Sequence, residues 1–172
     1  MSNIFGQLNP EDVNRIKLHV EDNSSVVDEI VQGIIEPYVK DLDTYVKFIA
    51  SCLKDGNNPP SDSELEDFCM NLSTYIYFAG GFQERLGIRA DIAEAVRKEA
   101  FNSARDDKDG TVQDKNSRAE IASQQEQIVS ICYSRAYKTV KAKIENAMEL
   151  QSSCKKVLTR RMQEYQLTHM TN

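Results

Sequence analysis

The chain has 172 residues, of which 28% are charged, with a formal net charge of −6, seven glycines, four prolines and no tryptophan. This composition argues against β-rich and low-complexity architectures and is typical of one soluble domain, or of a small body with a long helical appendage. No apolar run approaches the ~20 residues that span a bilayer, and the amino terminus lacks the layout of a secretory signal. We therefore expect a cytoplasmic protein, or one released into cytoplasm, with no membrane partner.

Helical patterns begin early in the chain. Asn9-Pro10-Glu11-Asp12 combines a capping amide, a first-turn proline and carboxylates, which is typical of a helix start. Asn23, Ser24 and Ser25 can cap a second helix, and Pro37 indicates either a kink or the first turn of a new one. The apolar periodicity then continues to Asp55-Gly56, where it stops.

The segment Asp55–Ser63 is the clearest loop, with Gly, Asn and two prolines. The helical pattern that follows contains Gly80-Gly81, which predicts a break, and Gly87, which predicts an end. Residues 77–82 could alternatively form a strand and turn, although their setting between helical patterns favours a broken helix. The next segment, to about residue 106, is rich in Ala, Arg and Glu and is predicted to be helical.

Residues 106–117 are polar and predict a mobile loop, and residues 118 to about 166 predict one continuous helix without Gly or Pro. A helix of that length measures about 70 Å, so we expect a partner or an oligomer to cover its apolar stripe. The stripe follows a heptad pattern, interrupted by Gln151, which could fix the register. We predict that its oligomerisation residues are Tyr133, Tyr137, Val140, Ile144, Ala147, Cys154 and Leu158.

Charge divides unevenly along the chain. Residues 1–100 contain nine Lys and Arg against 18 Asp and Glu, whereas residues 101–172 contain 12 against nine. An acidic body with a basic helical arm is typical of a protein that contacts a polyanion or an acidic partner. An alternative is that the acidic helices pair with the arm, and an ordinary solvated face would give the same pattern. The candidate nucleic-acid-binding residues are Arg97, Lys98, Arg135, Lys138, Lys141, Lys143, Lys155, Lys156, Arg160 and Arg161.

Catalytic and metal motifs are absent from the sequence. No phosphate-binding glycine loop or nucleophile motif occurs, and the loop around Gly110 lacks the carboxylates that calcium needs at its first and last ligand positions. The four cysteines show no C-x-x-C spacing and are predicted to be buried apolar residues. We therefore predict no enzyme activity, no metal and no cofactor.

The order of features in residues 92–165 resembles the UvsY-type recombination mediators of bacteriophages. The matching pieces are AVRKEAFNSARD, the loop DKDGTVQDKNS, and the long helix from EIASQQEQ to KKVLTRRM. The resemblance implies that Arg97 and Lys98 contact single-stranded DNA and that the long helix carries self-association. It also implies a ring-forming homo-oligomer whose further partners are a recombinase and a single-strand-binding protein.

Together these features predict an all-α bundle of five or six helices, whose long carboxy-terminal helix forms an antiparallel or oligomeric coiled-coil pair. Residues 1–90 would form an acidic helical body and residues 91–172 a helical hairpin. The predicted function is a non-enzymatic recombination or replication accessory protein that binds single-stranded DNA and assists recombinase loading. The alternative is a helical protein-interaction module without nucleic-acid binding, such as a phage assembly factor, an adaptor or an inhibitor of a host protein.

Overall fold

The computed structural model describes residues 10–106 and 111–170, which form four α-helices and no strand. The helices are α1 (Pro10–Lys54), α2 (Asp62–Asp106), α3 (Val112–Ala122) and α4 (Gln124–Met170). The expected all-α class is therefore confirmed, with four helices in place of five or six. The predicted boundary at residue 90 lies inside α2, which runs through both of the predicted parts.

Helices α2 and α4 form a long antiparallel pair, because Asp62 at the start of α2 contacts Arg161 near the end of α4, while Glu94 contacts Ser130. Helix α1 packs against both from Val27 onward. The core lies between the three helices and is almost entirely apolar. Its largest fully buried side chains are Ile35, Ile49, Leu65, Leu72, Leu86, Val140 and Cys154.

Capping residues set two of the helix starts. The Ser61 N–H donates to Glu64 Oε2 at 2.7 Å and the Glu64 N–H donates to Ser61 Oγ at 3.3 Å, a reciprocal capping box. Thr111 caps α3 in the same manner, since its hydroxyl accepts from the Asp114 N–H at 3.3 Å. The capping box at Ser61 thus marks the start of α2, after the loop that follows α1, and Thr111 marks the start of α3.

Four helix boundaries that the sequence suggested lie inside longer helices, and at Pro37 the boundary was one of two alternatives. Ser24 and Ser25 lie inside α1, where their hydroxyls donate to carbonyls three residues earlier. Pro37 also lies within α1, so no new helix begins there. Gly80-Gly81 and Gly87 lie inside α2, which excludes the strand alternative. The buried heptad residues around them supply tertiary packing that outweighs the low helix propensity of glycine.

The segment predicted as a mobile loop is partly helical. Residues 112–117 belong to α3, whereas residues 107–110 lie outside the described part of the chain. The predicted continuous helix is interrupted at Ser123, which is 2% exposed and donates its hydroxyl proton to the Ala119 carbonyl at 2.9 Å. The Ser123 carbonyl then accepts from the Gln127 N–H, so α4 begins directly after α3.

The apolar stripe of α4 is covered by α1 and α2 of the same chain. Val140, Ala147 and Cys154 are at most 1% exposed. The expectation that a partner or an oligomer must cover this stripe is therefore wrong, because the amino-terminal helices provide the cover. Within the two described segments, none of the helices combines the length and the apolarity needed to cross a membrane.

Candidate nucleic-acid interface

The predicted DNA-binding residues lie on α4 and in the second half of α2, and the structure separates them by their partners. Two cations of α4 reach acidic residues of the first two helices. Lys143 Nζ lies 2.5 Å from Asp43 Oδ2, and Arg161 donates to Asp62 Oδ1 at 2.9 Å and to the Pro60 carbonyl at 2.8 Å. These contacts hold α4 against the acidic helices, so Lys143 and Arg161 are engaged within the fold.

Two further cations pair along their own helix. Lys141 lies 3.9 Å from Glu145, and Arg160 lies 2.9 Å from Glu164, each four residues onward. All four side chains are more than half exposed. Exposed pairs of this kind contribute only about 0.3–0.5 kcal/mol, so a polyanion could replace either carboxylate at small cost.

Arg97 and Lys98 share one carboxylate, that of Glu94. Arg97 donates to both Glu94 oxygens at 2.8 and 2.7 Å, and Lys98 Nζ lies 3.5 Å away. The hydrogen bonds from Arg97, helped by one from Ser130, lower the pKa of Glu94 to about 2. Glu94 thus joins Arg97 to Ser130 of α4, and Lys98 is the more exposed of the two cations.

The remaining four candidates, Arg135, Lys138, Lys155 and Lys156, are exposed and have no ion-pair partner among the described residues. They lie on the solvent side of α4, and we call them the open basic face. Lys138 and Lys155 are 17 positions apart, which corresponds to about 25 Å along a helix. Glu145 and Glu149 lie between the two pairs, so the face consists of two separate positive clusters.

The predicted oligomerisation residues lie inside the single chain. Val140, Ile144, Ala147 and Cys154 are buried, and the remaining three are partly buried against the core: Tyr133, Tyr137 and Leu158. Gln151 Nε2 donates to the Cys69 carbonyl at 2.7 Å and to Ser73 Oγ at 2.5 Å. The polar interruption of the stripe thus fixes the pairing of α2 with α4, and it does so within one molecule.

One surface was not predicted from the sequence. A groove of about 490 Å³ opens between the second half of α2 and the beginning of α4. We call it the distal groove; its lining residues are Arg89, Ile92, Ala93, Val96, Gln125, Glu126, Val129 and Tyr133. Ile92, Val96 and Val129 are 58%, 47% and 49% exposed. In the sequence, the apolar residues of α2 after Gly87 recur at helical spacing, which could have indicated an apolar face there. That pattern did not indicate that α1 would leave this face uncovered.

Most of the cysteine side chains are buried. Cys69, Cys132 and Cys154 are buried as predicted, whereas Cys52 is half-buried. Burial raises the pKa of each of the three buried thiols and keeps them protonated. In residues 10–106 and 111–170, no three His, Cys, Asp or Glu side chains are grouped in a way that could hold a metal ion.

Comparisons with known proteins give no identification. No protein-family model matches the chain. No curated protein and no solved structure matches it either.

Proposed function

We propose that this chain is a non-enzymatic accessory protein of phage-type DNA recombination or replication, which binds single-stranded DNA and assists recombinase loading. In this proposal it acts as a homo-oligomer and also contacts a recombinase and a single-strand-binding protein. The observation that supports DNA binding is the open basic face, whose four cations have no acidic partner among the described residues. Cations along a rod can neutralise successive phosphates without reading base sequence.

The ion-pair partners of the cations separate those that stabilise the fold from those that could bind DNA. Lys143 and Arg161 stabilise the fold, so they are assigned to structure, whereas Lys141 and Arg160 can join the open basic face by releasing their own-helix carboxylates. The proposed DNA path therefore runs along the solvent side of α4.

Titration of labelled oligo-dT at several salt concentrations tests this proposal. If each cation of the open basic face neutralises one phosphate, the log–log slope of affinity against salt is about −2.8 for a single strand. If Lys141 and Arg160 also engage, the slope is about −4.2. Absence of binding at low salt would remove the DNA proposal.

A helical protein-interaction module without nucleic-acid binding is the second candidate. The distal groove favours it, because Ile92, Val96 and Val129 form an apolar surface suited to receive a helix. In that case the oligo-dT titration shows no binding, while substitutions in the groove abolish a protein contact. The oligo-dT titration therefore distinguishes the two candidates.

A further inference from the structure

The distal groove lies on the side of α2 and α4 that faces α1, further along α2 than the part of this interface, or seam, that α1 covers. In α2, Phe68, Tyr75 and Phe82 face α1, since their rings lie 4.5–6.5 Å from those of Tyr45 and Tyr38. The same seven-residue spacing leads next to Arg89 and Val96. In α4, Lys143, which contacts Asp43 of α1, and the buried Ala136 are seven residues apart. Val129 is the next position at this spacing. The groove is thus the continuation of the interface of α1 with α2 and α4, at positions that α1 does not cover.

Before Val31, the inward face of α1 becomes partly polar. Val31 and Ile35 are 4% and 0% exposed. The positions seven residues before them are Ser24 and Asp28, and the position fourteen residues before Ile35 is Glu21, all of which are exposed. Continuing α1 along the groove would place these polar groups on aliphatic side chains, which costs free energy.

Val27 packs against the core and Val20 precedes it by seven residues, but three other apolar residues of this part of α1 lie on its outer side. Leu18, Val26 and Ile30 are 60%, 55% and 44% exposed. Val26 precedes the buried Ile35 by nine residues, which at 100° per residue places it on the opposite side of the helix. Leu18, Asp22, Val26 and Ile30 follow one another at four-residue intervals, and we call this row the outer stripe of α1.

Charge at the two surfaces is complementary. Arg89, on the rim of the groove, is exposed and has no ion-pair partner among the described residues. The carboxylates of Asp22 in the outer stripe and of Glu29 beside it are exposed and equally without an ion-pair partner within residues 10–106 and 111–170. In the groove itself, Glu126 Oε2 has no hydrogen-bond partner among the described residues.

We propose that the distal groove of one molecule binds the outer stripe of α1 from a second copy of this chain. Val26 and Ile30 of one copy would pack against Ile92, Val96 and Val129 of the other, and Arg89 would meet Asp22 or Glu29. This deepens the homo-oligomeric part of the proposed function by assigning it a surface other than the heptad seam. It does not depend on DNA binding.

Sedimentation of the purified chain without DNA tests the contact. We expect a mass above that of the monomer that rises with protein concentration. The Ile92→Asp variant should raise the dissociation constant of self-association at least about tenfold, because a carboxylate then faces apolar anchors. Met162→Asp is the matched control, since Met162 is 60% exposed on α4 and lies far from the groove. A monomer at every concentration, or equal association of the two variants, would overturn the proposal.

Cross-linking distinguishes a second copy from the chain's own helix. In a Cys52→Ser background, Val26→Cys and Val96→Cys are made separately, with tags of different length, and then mixed under oxidation. The proposal predicts a disulfide-linked product of mixed-dimer mass. A link that forms only within the double variant, at monomer mass, would show that α1 of the same chain occupies the groove and would refute the intermolecular contact. Because no DNA is present, failure here leaves the oligo-dT result unaffected.

Discussion

Lys143 of α4 and Asp43 of α1 lie 2.5 Å apart, joining the basic arm to the acidic amino-terminal helices. Both side chains are about one-third exposed or less. A pair in this position is more shielded from water than an ion pair along one exposed helix. It therefore fixes the placement of α1 on α4 rather than serving a ligand.

A double-mutant cycle measures this pair. Substituting Lys143→Ala and Asp43→Ala singly and together should give a coupling energy of about 0.5–1 kcal/mol in urea unfolding. The matched control is Lys141 with Glu145, an exposed pair on one helix, where the coupling should stay below about 0.5 kcal/mol. Equal coupling in the two cycles would show that Asp43 has no special role in holding α4.

Gln151 should contribute more to stability than an exposed glutamine of the same helix. Its amide donates to the Cys69 carbonyl and to Ser73 Oγ. Gln151→Ala should lower the free energy of unfolding by about 1–2 kcal/mol because it removes two hydrogen bonds, one of which is partly buried. Gln163→Ala, at an exposed position, should change it by less than about 0.5 kcal/mol. Similar losses for the two variants would contradict the assigned role.

The glycines inside α2 predict a graded response to alanine. A Cβ at Gly81 meets nothing within 4 Å, whereas one at Gly87 lies 3.3 Å from Cε2 of Tyr137. Gly81→Ala should raise the free energy of unfolding by about 0.5–1 kcal/mol through helix propensity. Gly87→Ala should gain less, because the Tyr137 ring must move. Thermal or urea unfolding of the two variants compares them, and an equal gain would show that Tyr137 imposes no constraint.

The heptad rows of α4 could be predicted from the sequence, and Val140 and Cys154 lie in the core as that pattern indicates. The helix that covers them could not be predicted, because apolar periodicity does not identify its partner. Local glycine signals at Gly80-Gly81 were misleading, since the buried Leu72, Ala79 and Leu86 hold α2 continuous across them. Tertiary packing outweighed propensity there.

The candidate interface was predicted only in outline. Sequence identified the basic residues of α4, but their pairing depends on the relative shift of helices distant in the chain. Lys143 lies beside Asp43 and Arg161 beside Asp62 because α1 and α2 pack against α4 in one register. Nothing in the local sequence distinguishes these two cations from Lys155 and Lys156, which have no ion-pair partner in the described part of the chain.

Glu94 should titrate well below an ordinary glutamate. Hydrogen bonding from Arg97 lowers its pKa from 4.5 to about 2. Because the folded-state pKa is depressed, its stabilising contribution is complete above pH 4.5 and is lost as the pH falls from 4.5 toward 2. Carboxyl-detected NMR should show a midpoint near 2 for Glu94, moving toward 4.5 in Arg97→Gln. An unchanged midpoint in that variant would show that Arg97 is not the cause.

The central claim is that the open basic face binds a single strand, and charge reversal within it is the most direct measurement. Lys155→Glu with Lys156→Glu is compared with Lys40→Glu with Lys47→Glu, a pair of exposed lysines on α1 that changes the net charge equally. In oligo-dT titrations we predict that the first variant weakens binding strongly and reduces the salt slope from about −2.8 to about −1.4, while the second keeps the slope of the unaltered chain. Equal losses in the two variants, or no binding by the unaltered chain at low salt, would contradict the account.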